Sequence, residues 1–167
     1  MLTENELIKF RRELHSYPET GWCEFVTTHK IVEKLRSFGL DPIYGRQVIN
    51  PEFVAGRNPA KVEEAKKAAL DKGVPPEFIE SMQDYTGVAA IFETGRPGPV
   101  LAIRFDMDCV DVDEAHEAGH RPFDEGWAST NPGHMHSCGH DGHMAIALEL
   151  ARRLAQSGAA LAGWPGI

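Results

Sequence analysis

A chain of 167 residues with 42% hydrophobic content is long enough for one domain with a sizeable core. Its 25 acidic against 17 basic residues, a formal charge of −8, exclude a phosphate-backbone partner, because nucleic-acid binding needs a basic stripe that this sequence lacks. Met1 to Lys9 contain Glu4 and Glu6 and no basic stretch leading into an apolar run, so neither a secretory leader nor a membrane role is expected. Three cysteines at wide spacing fit a reducing compartment, with the cytoplasm as the expected location.

Thr3, followed three residues later by Glu6, forms a capping-box pattern, and Leu7, Ile8, Phe10, Arg11 and Leu14 recur at helical spacing. A helix from about Glu4 to Ser16 is expected, ended by Pro18. Gly21 and Trp22 lead to a second amphipathic run, Phe25, Ile31, Val32, Leu35 and Phe38, closed by Gly39. Asp41 to Val48 reads as one short strand. Residues 50–85 differ in character. Asn58-Pro59 is a cap followed by a first-turn proline, Lys61 to Lys72 is rich in Ala, Lys and Glu, and Gly73 with Pro75-Pro76 breaks the run. A surface helix Pro59–Asp71 and a short one Glu77–Tyr85 are expected, both solvated and neither bearing evident chemistry.

Gly87–Glu93 and Pro99–Phe105 are apolar, partly β-branched runs around Thr94–Gly98, which reads as a hairpin turn. The second run is almost continuously apolar, as a central strand covered on both faces would be, and it empties into Asp106-Met107-Asp108. In open α/β sheets that end is where sites are built. A long polar loop from Cys109 to Cys138 then leads to a helix His140–Gln156, with Ile146, Leu150 and Leu154 on one face and Gly158 at its end. Cys109 reads as a small buried residue, and Asp111, Asp113 and Glu114 as loop carboxylates that cap and turn.

The densest chemistry lies in His134-Met-His-Ser-Cys-Gly-His-Asp-Gly-His143, with four histidines, one cysteine and one aspartate in ten residues. Cys and neutral His suit zinc and its first-row neighbours, and Asp brings manganese within range. Cys138 and His140, two apart across a glycine just before a helix, can converge on one point and are the preferred ligands. The head of a helix would also favour the Cys138 thiolate. His143, one turn further on, could add a third ligand or orient the others. His134 and His136 are left as loop residues or substrate contacts. Asp106 and Asp108 can ligate a second metal or hold a ligand imidazole.

Arg11-Arg-Glu-Leu-His15 with Pro18-Glu19, Thr86-Gly-Val88, Pro97-Gly-Pro-Val100, Arg104-Phe-Asp-Met-Asp108 and Met135-His-Ser-Cys-Gly-His-Asp-Gly-His143 run in order over most of the chain. This set resembles the M20 metallopeptidases and amidohydrolases, in the branch of N-acyl amino acid amidohydrolases. Gly45-Arg-Gln-Val-Ile-Asn50, Thr94-Gly-Arg-Pro-Gly-Pro99, His120-Arg-Pro-Phe123 and Gly126-Trp-Ala-Ser129 resemble a subgroup that cleaves p-aminobenzoyl-glutamate.

The resemblance implies an α/β, zinc-aminopeptidase-like three-layer αβα catalytic domain. Residues 1–167 would be its N-terminal portion, with a helical insertion at about 50–85 and the lid or dimerisation domain absent. It implies two divalent ions, Mn2+ or Zn2+, with Cys138 and His140 as ligands and Asp106 as the catalytic strand-end aspartate; Asp141 and His143 are expected to support the ligands from behind. It further implies a small-molecule substrate and a homodimer, or a hetero-oligomer with a related subunit. Family members continue with a Glu-Glu pair, one glutamate acting as base and one as ligand, and with further histidines; nothing of that kind follows His143 here. Ala162–Ile167 contains Trp-Pro-Gly, a breaker where the next strand would start. Truncation, or a reading-frame change near residue 163, is therefore expected, and with it a metal-dependent amidohydrolase chain that is inactive alone. The alternative is a non-catalytic fragment that binds metal or a partner.

Overall fold

The computed structural model describes residues 4–93 and 97–157. The helical periodicities translate directly into elements: α1 is Glu4–His15, α2 is Phe25–Ser37, α3 is Pro59–Asp71 and α6 is His140–Ser157. Between the last two lie α4 (Pro76–Ser81) and the single turn α5 (Arg121–Asp124). Asn58 caps α3 as its sequence context requires, its side chain accepting from the amides of Ala60 and Lys61. No helix among the described residues is long and apolar enough to cross a membrane. Thr3, the turn residues 94–96 and the ending from Gly158 onward lie outside the described residues.

Helix α2 is apolar on two sides and divides the core. On one side Phe10, Leu14, Ile31 and Leu35 meet Met144, Leu148 and Ala151, joining α1, α2 and α6. On the other, Phe25, Val26 and Val32 meet Val62, Ala69, Val74, Phe78, Ile79 and Met82. The insertion helices are thus more than a solvated face: α3 buries Val62 and Ala69, and α4 buries Phe78 and Ile79. Val62 and Ala69, seven apart in a charged, alanine-rich helix, do not read as an apolar stripe, yet they help to close a core that α2 leaves open.

The inward face of α6 also differs from expectation. Met144, Leu148 and Ala151 are buried, whereas Ile146 is 59% exposed. The helix is apolar on both sides, so its own period does not choose between them; packing against α1 does. Arg152 on the same helix is buried with its charge met by Glu149, through contacts of 2.8 and 2.6 Å.

The sheet is small. Strand β1 (Ile43–Tyr44) pairs antiparallel with β2 (Val88–Ala89), in the register Ile43 with Ala89 and Tyr44 with Val88. A 3-10 turn, Gly45–Gln47, follows β1. Gly45 has φ +62°, and a Cβ there would meet the Met82 backbone at 2.6 Å, so only glycine lets β1 turn against α4. The expected hairpin partner is not formed. Pro99–Phe105 carries no ladder pairing among the described residues, and Val100 and Leu101 are 98% and 82% exposed. A strand is buried on both faces only when neighbours flank it and a layer covers each side, and the described residues supply neither for this run.

Candidate metal centre

Three segments meet at the start of α6. Cys109 donates its amide to the Glu19 carbonyl (2.8 Å) and pairs in parallel with Thr20, which anchors the chain just after Asp106 and Asp108. Val110 forms an antiparallel bridge with Met135, so the loop returns beside its own beginning. Gly139, at φ +80°, turns the chain into α6, with the His143 amide bonded back to its carbonyl at 3.2 Å.

The result brings Asp106, His140 and His143 together, one ligand atom from each lying within 4.8 Å of the others. His140 is the middle of the set. Its Nδ1 donates to the Asp108 carbonyl at 2.8 Å, which leaves Nε2 as the nitrogen facing the Asp106 carboxylate at 4.0 Å. Its ring stacks on that of His143, with centroids 5.2 Å apart and planes 27° apart. One oxygen of Asp106 takes Arg104 at 2.6 Å, and the other faces His140.

This donor set suits a divalent cation: one carboxylate and two imidazoles, with one imidazole's tautomer set by a backbone carbonyl, as metal-binding histidines commonly show. His136 adds a second sign. It is buried, and among the described residues neither ring nitrogen has a hydrogen-bond partner. Burial pushes its pKa down to about 4, so it is a neutral imidazole at physiological pH.

Residues 102–165 match the family described as Peptidase family M20/M25/M40. The chain is 44% identical over 160 residues to a p-aminobenzoyl-glutamate hydrolase subunit homolog of Haemophilus influenzae, covering 95% of this chain and 38% of that one. The chain is thus similar to members of the M20 peptidase family over part of their length. The aminobenzoyl-glutamate utilization protein of Klebsiella pneumoniae superposes with a TM-score of 0.65 at 29% identity, over 91% of this chain and 32% of that one. A dinuclear metal binding peptidase of the M20 family from Bacillus subtilis gives 0.60 at 28% identity, over 93% and 31%. The backbone is thus similar to part of these α/β structures, and the chain spans under two-fifths of the length of the relatives it matches.

Within this M20 frame the expected site residues are placed unequally. Asp106 and His140 converge, and His143 presents its own ring to the same point rather than standing behind it. Cys138 is exposed and is not part of the converging set. Asp141 is fully buried on the other side of the helix start, accepting from His15 Nδ1 at 2.8 Å and Arg11 Nε at 2.7 Å. His134 lies 3.2 Å from Asp111. Cys109 is buried, and burial pushes its thiol up to about 12.

Two groups escaped sequence reading. Glu114, which reads as a loop carboxylate, is buried and accepts from His15 Nε2 (3.0 Å), His120 Nε2 (2.8 Å) and the Ser129 amide (2.5 Å). Burial alone would raise its pKa, but those three donors hold it below the ordinary value. Glu19 and Glu24 are the second group. Glu19 accepts the Val26 and Thr27 amides at the head of α2, and Glu24 accepts from Thr86 Oγ1. A Pro-Glu pair just ahead of a helix could have suggested a cap; nothing local marks Glu114.

Burial pushes Glu19 and Glu24 each up to about 7. A folded-state pKa above the unfolded value means that the native state binds more protons between pH 4.5 and 7. Their contribution is therefore most favourable below that window and is lost as pH rises through about 7. At about 1.4 kcal/mol per pH unit, the loss is of order 3 kcal/mol per carboxylate. Urea unfolding should give a lower stability at about pH 8 than at about pH 5, and Glu19→Gln should flatten that slope; a parent whose stability rises over this range would refute the assignment.

Proposed function

We propose that these residues belong to a metal-dependent amidohydrolase that cleaves the amide bond of p-aminobenzoyl-glutamate or a similar N-acyl amino acid. The observation that carries the reading is the convergence of Asp106, His140 and His143 inside the segment that matches the M20 family. His140 would hold a divalent ion, Mn2+ or Zn2+, through Nε2, with Asp106 and His143 as further donors and Cys138 closing over it from the loop. A divalent ion bound there supplies Lewis acidity toward an amide carbonyl and acidifies water. The chain's own residues orient: Asp108 fixes the His140 tautomer, Asp106 balances the cationic charge, and neutral His136 offers a buried N–H beside them. Asp141 holds the helix start in place.

Glu149, the glutamate that follows His143, is occupied by Arg152 and Arg153 at 2.6 and 2.7 Å and does not serve as a base. A homodimer, or pairing with a related subunit, is part of the same proposal, supported by the Haemophilus influenzae relative, whose name marks it as one subunit of a hydrolase. A cytoplasmic setting is supported by three free cysteines. The second reading, a metal- or partner-binding chain without turnover, is favoured by the exposed run Val100, Leu101 and Ile103. Chelator-sensitive hydrolysis of p-aminobenzoyl-glutamate by these residues joined to the corresponding remainder of the Haemophilus influenzae relative is the test that separates the two.

The role of Cys138 has its own check. In protein stripped of metal, a thiol reagent should label Cys138 quickly and the buried Cys23 and Cys109 slowly. Saturating Mn2+ or Zn2+ should protect Cys138, and the chelator should restore labelling. Labelling indifferent to both would take Cys138 out of the centre.

A further inference from the structure

His15 ends α1 and lies 126 positions from Asp141, yet its ring is the hub of a buried polar network. Nδ1 faces Asp141 at 2.8 Å and Nε2 faces Glu114 at 3.0 Å, and both carboxylates are fully enclosed. Carboxylates only accept, so both ring nitrogens must carry hydrogen and the ring is an imidazolium. Burial alone would lower the His15 pKa, but the hydrogen bonds to Asp141 and Glu114 raise it above the ordinary value. Arg11 adds a second cation to Asp141, and the Trp127 edge meets the His15 ring at 5.0 Å. The same stretch of loop is stitched to the end of α1 by the Thr130 amide on the Ser16 carbonyl and Asn131 on the Pro18 carbonyl, both at 2.8 Å.

Asp141 sits between His140 and His143 in the first turn of α6. At about 100° per residue, His140 and His143 are about 60° apart around the helix, while Asp141 points away from both. Pinning Asp141 inward therefore decides which way the two imidazoles face. We propose that His15 is a positioning residue for the metal centre, clamping Asp141 and Glu114 so that His140 and His143 are presented to Asp106. This rests on the reading of those three residues as a metal centre. A plain buried ion pair would stabilise the fold without coupling to metal; a positioning residue must be coupled in both directions.

The experiment uses the 167-residue chain with Mn2+ and Zn2+ in turn. In the parent, metal should slow amide hydrogen exchange at Ser129 and Thr130, which lie on the far side of His15 from the centre, and leave residues 59–81 unchanged. His15→Gln should weaken metal binding by about tenfold or more, the range seen when groups that orient ligands are lost. Helix content by circular dichroism shows whether the variant folds; where it does not, the parent's exchange decides alone. A parent that binds metal with no change at Ser129 and Thr130, or a folded His15→Gln with parental affinity, overturns the role of His15 and leaves the metal centre standing. A parent that binds neither ion removes the centre itself and the inference with it.

Discussion

Replacing His140 by alanine together with Cys138 by serine is expected to leave the protein without bound metal. His140 is the middle donor of the converging set, tied by Nδ1 to the Asp108 carbonyl, facing Asp106 with Nε2 and stacked on His143. Losing a group that merely orients a ligand costs about 10–100-fold in affinity, so losing the donor itself should cost more than about 100-fold. Two donors, Asp106 and His143, would remain, short of the three protein ligands that catalytic zinc sites keep. Elemental analysis of desalted protein and equilibrium dialysis measure the effect. The single variants divide it: His140→Ala should account for most of the loss, and Cys138→Ser for the part contributed by a thiolate that lies outside the converging set. Parental metal content in the double variant would place the centre elsewhere.

The second large effect concerns turnover. The 167-residue chain, supplied with Mn2+ or Zn2+, should release no p-aminobenzoate from p-aminobenzoyl-glutamate above the metal-only blank. A chimera that continues after Ser157 with the corresponding remainder of the Haemophilus influenzae relative should hydrolyse it and lose the activity to a chelator. General-base catalysis is worth about 10²–10⁴ in rate, and an incompletely coordinated ion also loses water activation, so the two deficits compound. Glu149 is held by two arginines, and Glu63 lies on α3 in an ion pair with Lys66, so neither replaces the base. The exposed run Val100 to Ile103 points the same way, since a chimera would supply what covers it. Chelator-sensitive release by the 167-residue chain would show that a base is present among these residues.

Local order is what the sequence by itself determined. Helices α1, α2, α3 and α6 follow from periodicity and caps, because a helix is built from contacts three and four residues apart. The choice of ligand chemistry around residues 134–143 was equally legible, because six donor side chains in ten residues are a local fact. Tertiary structure decided the rest. It turned α6 so that Met144 and Leu148 face the core while Ile146 faces out, a choice that a helix apolar on both sides leaves open. It made α3 and α4 half of a core that their charged sequences do not announce. It brought His143 to Asp106 while leaving Cys138 exposed, and it enclosed Asp141 and Glu114 around His15 across 126 and 99 positions. The apolar run at Pro99–Phe105 has no strand partner among the described residues, since strand pairing, like a buried ion cluster, is made by partners distant in the chain.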